Sequence, residues 1–180
     1  FLSKLMLQRK EKLYTERSKK YYDKIFVIGD SHSLVYHDLI INNLKKELIC
    51  ESKLIFGCKQ WHLANSEENK YKFKFINIFN SLPKASHVVL SIGEIDCRFS
   101  EGVYDFSNKN SLDNQKIADF TIKNYLDYIK KINIKKNHKI IIQGIPCPNI
   151  DINKIENQKF LKYLDFVKYF NKSLQNNSIN

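Results

Sequence analysis

Apolar positions along this chain follow two rhythms. Short, unbroken runs occur at Ile25–Ile28 and Leu54–Phe56, and within 87–92 and 139–144 at Val88–Leu90 and Ile140–Ile142. Runs this short, apolar and rich in β-branched residues predict strands buried on both faces, as in a parallel sheet. Between them apolar residues recur every three or four positions, the spacing of a helix face. Leu34, Leu39, Ile40, Ile41, Leu44 and Leu48 predict a helix directly behind the first strand. Tyr71 to Leu82 predicts a second, which Pro83 terminates. Asp113 is the expected cap of a third helix over 113–132, with Ile117, Phe120, Ile122, Leu126 and Ile129 facing the core. A last helix is expected over about 154–172, and the polar tail after Ser173 has little to bury. Strand and helix thus alternate, which predicts an α/β fold of three layers, a parallel sheet flanked by helices. This domain spans 24–180. Residues 1–23 read as an amphipathic, basic helix or linker leading into it.

The predicted strands end in residues that carry chemistry. The first runs into Gly29-Asp30-Ser31-His32, which places a serine hydroxyl at the carboxyl end of a strand and beside unpaired backbone N–H groups. Asp30, Ser31 and Ser33 are equally good N-cap residue types, so the turn reads as capping or catalysis on position alone. The second strand closes with Gly57-Cys58, where glycine either supplies an oxyanion N–H or merely relaxes the backbone. His62 and Asn65, in the segment Trp61–Asn65, are candidates to line a substrate cleft or to sit in ordinary surface or core positions. The third strand leads into Gly93-Glu94-Ile95-Asp96-Cys97-Arg98, polar groups of both signs expected in the same crevice as Ser31. A salt bridge from Arg98 to Glu94 or Asp96 that simply fixes this loop is the plainer alternative.

Gly29-Asp30-Ser31 after a hydrophobic strand resembles the first block of the SGNH/GDSL hydrolase superfamily, with Ser31 in the nucleophile position. Gly-Asp-Ser-His together with Gly-Glu-Ile-Asp-Cys-Arg resembles a subgroup signature, and the former is similar to carbohydrate-ester branches of that superfamily. The resemblance implies a flavodoxin-like fold and a serine esterase or O-acyltransferase acting on a carbohydrate ester, without metal or cofactor. It implies an oxyanion hole from the backbone N–H groups of Ser31 and Gly57. Asp30, His32, Glu94, Asp96, His62 and Asn65 would contact substrate. Two departures stand out. Ile95 occupies the position where the superfamily's third block has a donor asparagine, so Arg98 is expected to supply the missing positive charge. The Asp-x-x-His block that brings the general base is absent from residues 1–180. The chain begins at Phe1, inside a helical pattern and without Met, which predicts a piece of a longer polypeptide whose base lies beyond Asn180. A catalytically inactive domain that binds a glycan or anionic ligand in the same crevice is the alternative.

Composition narrows the classes. A hydrophobic content of 43% excludes a disordered chain, and 180 residues suffice for one domain with a sizeable core. The net charge of +11 is spread over the whole length among asparagines and isoleucines rather than clustered. Lys135, Lys136 and Lys139 form a short basic loop, not a nucleic-acid footprint, and no nucleic-acid partner is expected. No apolar run approaches the length of a membrane span. Cys50, Cys58, Cys97 and Cys147 lack zinc-site spacing, so reduced thiols in a cytoplasmic setting are expected.

Overall fold

A computed structural model describes residues 23–43, 46–148 and 155–178. Five strands form one sheet: β1 (Asp23–Gly29), β2 (Ile40–Asn43), β3 (Lys46–Leu54), β4 (His87–Ser91) and β5 (Lys139–Ile142). Their spatial order is β2-β3-β1-β4-β5. β1 runs parallel to β3 and to β4, β4 runs parallel to β5, and only β2 pairs antiparallel with β3. Among the described residues five α-helices accompany them: α1 (Gln60–Ala64), α2 (Lys70–Ser81), α3 (Gly102–Lys109), α4 (Asn114–Asn133) and α5 (Asn157–Ser178). The protein is therefore α/β. No helix among the described residues is long and apolar enough to cross a membrane.

The strand periodicity assigns the core. Phe26 and Ile28 of β1 share a face with their partners Val88 and Leu90 on β4. Onto that face pack Leu63, Phe75, Phe79, Val103, Ile122, Tyr125, Phe166 and Phe170, contributed by all five helices. The opposite face carries a much smaller cluster of Ile25, Val27 and Cys50, with Tyr36, Leu48 and Val89 against it. A sandwich needs helices on both faces of its sheet. Among the described residues the helices build one apolar core on one face, and a second helical layer is not among them.

The expected helix from Leu34 to Leu48 does not form. Ser31–Tyr36 is a 3-10 turn, and a β2–β3 hairpin follows, with Asn43 paired to Lys46. The β-branched pair Ile40-Ile41 favours extended backbone, and Asp38 takes the left-handed conformation (φ 61°) that reverses the chain. Cys50 closes this corner by accepting the N–H of Asp38 and donating its own to Leu39, both at 2.9 Å. Pairing with β1 also shifts β3 back from the expected 53–56: the strand begins at Lys46 and ends at Leu54, so Ile55 and Phe56 lie beyond it. Leu44 and residues 1–22 lie outside the described residues. Most other expected elements are present, with two corrections: Phe120 faces outward, 58% exposed, and α5 continues to Ser178, burying Leu174 beyond Ser173. Asp113 caps α4 as anticipated, accepting the N–H groups of Gln115 and Lys116.

Candidate functional site

The carboxyl end of β1 is clamped between its two neighbours. Ile55 donates its N–H to Gly29 O at 2.7 Å, and Asp30 donates to Ser91 O at 3.3 Å. The approach leaves no room for a side chain: a Cβ on Gly29 would lie 2.2 Å from Ser91 O. From β1 the chain goes first to β3 on one side and later to β4 on the other. The gap between β1 and β4 is thus the topological switch point, where open α/β sheets bind ligands.

Asp30 starts the turn that fills this position. Its Oδ1 accepts the His32 N–H at 2.8 Å, and its carbonyl accepts the Ser33 hydroxyl at 2.7 Å. Ser33 O in turn accepts the Ser52 hydroxyl at 2.6 Å, tying the turn to β3. Ser33 is thereby a buried structural serine, whereas Ser31 is half-buried and its hydroxyl makes no hydrogen bond among the described residues.

Asp30, His32, Ser91, Glu94 and Gln143 line a small crevice at the ends of β1, β4 and β5. His32 Nδ1 lies 3.1 Å from Asp30 Oδ1 and 3.7 Å from Glu94 Oε2. Asp30 is 1% exposed, and its second oxygen, Oδ2, has no hydrogen-bond partner among the described residues; neither has Gln143 Oε1. Burial raises the Asp30 pKa above the ordinary carboxylate value; hydrogen bonds from His32 offset part of this, and the Glu94 charge adds to it. Oxygen and nitrogen donors of Asp30, His32 and Glu94 all lie within 4.8 Å of one another, the spacing that a divalent cation or a shared imidazole proton would use.

The Gly93–Arg98 loop divides into a half that faces this crevice and a half that holds the scaffold. Glu94 accepts from Arg98 Nε at 2.9 and 3.1 Å and pairs with Nη2 at 2.8 Å. Arg98 also reaches Glu101 at 3.4 Å, and Glu101 pairs with Lys59 at 3.0 Å. The Glu94 hydrogen bond raises the Arg98 pKa, so the guanidinium is a fixed cation already neutralised by two carboxylates. Asp96 points the other way. It is wholly buried, and its Oδ2 and Oδ1 accept the N–H groups of Gln60 (2.7 Å) and Trp61 (3.1 Å) at the start of α1. Burial pushes its pKa up to about 7 against those two hydrogen bonds. Ile95, in the position expected for a donor, is buried.

The structure thus gathers Asp30, His32 and Glu94, with Arg98 bound to Glu94, at the crevice, whereas Ser31 opens the 3-10 turn between Asp30 and His32 and is not among the lining residues. It does not bring the remaining candidates into the crevice. Asp96 is sealed under α1. His62 Nδ1 accepts the Lys59 N–H at 3.1 Å while its ring stacks on Tyr71 at 3.8 Å; burial, helped by Lys59 and Lys70, lowers its pKa to about 4. Asn65 ends α1, accepting the Glu67 N–H at 3.1 Å through its side chain and the Lys72 ammonium through its carbonyl. Gly57 follows β3 with φ +72°, and a Cβ there would meet only Tyr71 Oη at 3.6 Å, so backbone conformation rather than crowding demands glycine. Gln143 was not anticipated; a polar residue closing the Ile140–Ile142 run was its only signal. The cysteines are free: Cys58 and Cys97 join the main core, Cys50 the smaller one, and Cys147 is exposed.

No protein family, curated protein or solved structure matches this chain.

Proposed function

We propose that the domain is a serine esterase or O-acyltransferase of the SGNH/GDSL type, with a flavodoxin-like sheet, acting on the ester of a carbohydrate. One observation carries this reading: a half-buried serine, its hydroxyl without a hydrogen-bond partner among the described residues, follows the carboxyl end of the central strand at the switch point, flanked in sequence by Asp30 and His32. In this reading Ser31 Oγ attacks the ester carbonyl and forms a tetrahedral adduct. The resemblance assigns its oxyanion to the N–H groups of Ser31 and Gly57, donors that would be fixed before charge develops, although Gly57 does not line the crevice. Collapse expels the sugar oxygen, which takes the proton that the base removed from Ser31 Oγ, and leaves an acyl-serine that water or a second alcohol then resolves. Arg98, compensated by Glu94 and Glu101, acts by fixing Glu94 rather than as a free cation. The resemblance assigns the base to an Asp-x-x-His block; among the described residues no histidine hydrogen-bonds the Ser31 hydroxyl.

Buried Ile95 and neutralised Arg98 leave the oxyanion without a side-chain donor, and this favours a second reading, a non-catalytic module that binds a glycan in the same crevice. Turnover of p-nitrophenyl acetate and of an O-acetylated disaccharide by the natural full-length protein separates the two. Ser31→Ala should lower it by about 10³-fold or more. Undiminished turnover overturns the esterase reading.

A further inference from the structure

A second cavity lies beside the crevice, between α1 and α3. It encloses about 390 Å³, within the range of small-molecule sites, and Lys59, Trp61, Glu101, Asp105, Phe106 and Lys109 line it. The aromatic rings of Trp61 and Phe106 lie 6.4 Å apart at an interplanar angle of 28°, close to parallel. Phe106 is 49% exposed, an apolar surface that a folded domain leaves uncovered at some cost. The charges around this aromatic wall cancel in pairs: Lys59 with Glu101 at 3.0 Å, and Lys109 with Asp105 at 2.8 Å. The cavity therefore offers hydrogen-bond donors and acceptors without a net field to draw an ion. A nucleotide or phosphate would need uncompensated cations. A fatty acyl chain would strip water from these two ion pairs and offer them no hydrogen bond in return. A neutral ring with an apolar face and a rim of hydroxyls satisfies both surfaces at once.

We propose that this cavity binds a pyranose unit of a saccharide, stacked on the Trp61–Phe106 wall, with its hydroxyls shared between Glu101, Asp105 and the two lysines. Glu101 also holds Arg98, whose partner Glu94 lines the crevice, so the two cavities share a continuous charged wall. That the sugar belongs to a Ser31 substrate rests on the esterase reading; that the cavity takes a sugar rests on its own residues.

Trp61 is the only tryptophan among residues 1–180, and the part of the tryptophan fluorescence that Trp61→Phe removes reports on this cavity. The natural full-length protein would be titrated with cellobiose, maltose and N,N′-diacetylchitobiose, and separately with inorganic phosphate and octanoate. At least one saccharide should give a saturable change, and Phe106→Ala should weaken it about tenfold. Asp105→Asn, which keeps the aromatic wall intact, should weaken it as well. Absence of a saturable saccharide response, a response only to phosphate or octanoate, or undiminished binding in both variants overturns the proposal. Ser31→Ala should leave the titration unchanged. If ester turnover fails to depend on Ser31 while the sugar response persists, the esterase reading falls and the saccharide site stands.

Discussion

Two aspartates, one from each polar loop, are buried almost equally and are used in opposite ways. Asp96 is 0% exposed and Asp30 1%. Both oxygens of Asp96 accept backbone N–H groups, so its carboxylate is spent on holding α1 against the Gly93–Arg98 loop. Asp30 spends one oxygen on His32 and leaves the other, in the crevice, without a hydrogen-bond partner among the described residues. A satisfied buried acceptor contributes to stability, whereas an unsatisfied one costs free energy unless something else meets it. Burial alone does not separate scaffold from site here. The hydrogen-bond count does.

The comparison is most exposed to removal of each carboxylate. Asp96→Ala orphans the N–H groups of Gln60 and Trp61 at once and deletes the bond between two segments 36 residues apart. A loss of about 3 kcal/mol is expected, a large share of a stability of about 5–15 kcal/mol. Urea denaturation at pH 6 measures it. If Asp30→Ala costs as much, the division between the two aspartates fails, because Asp30 has only its half-exposed turn to hold.

The second effect is one of pH. The folded-state pKa of Asp96 is about 7, above its ordinary 3.8, so the folded protein binds this proton more tightly than the unfolded chain does. Its contribution to stability is therefore fully present below about pH 4 and is lost as pH rises through 7. Asp96→Asn removes the titration while keeping one acceptor. The stability difference between wild type and Asp96→Asn should shrink by roughly 2–3 kcal/mol from pH 5 to pH 8. A difference that is flat over that range would mean that Asp96 stays ionised throughout, its two N–H donors outweighing its burial.

This division of labour explains what could be read from the chain beforehand. Gly-Asp-Ser-His and Gly-Glu-Ile-Asp-Cys-Arg were locatable because each follows an apolar run that a parallel sheet buries, a local signal of periodicity and breakers. The hairpin was not. Leu34, Leu39, Ile40 and Ile41 fit helical spacing, and only the pairing of β3 with β1 turns that stretch into strand. Asp96 and Glu94 looked alike in sequence. What assigns them is the position of Gln60 and Arg98 around them, and Gln60 is contributed by a helix whose placement no local pattern encodes. Gln143 reaches the crevice for the same reason: β5 lies beside β4 only because the core on one face of the sheet brings it there.

The smallest expected effect joins the two aspartates. The Asp30 charge raises the Asp96 pKa, and it is the least of the influences there, behind burial, the two backbone N–H groups and Lys59. Asp30→Asn keeps an acceptor for the His32 N–H and remains a good cap, so stability should change by no more than about 1 kcal/mol. It removes the negative charge, however, and Asp96 should then lose its proton at a lower pH. Carboxyl carbon NMR shifts of Asp96, followed through pH in wild type and Asp30→Asn, measure this directly. A downward shift smaller than the burial effect is expected. An unchanged titration would mean that the unpartnered oxygen of Asp30 is already protonated across that range. Asp30 would then be a neutral hydrogen-bond donor facing the crevice rather than an acceptor, and the contrast between the two aspartates would lie in which group each donates to or accepts from.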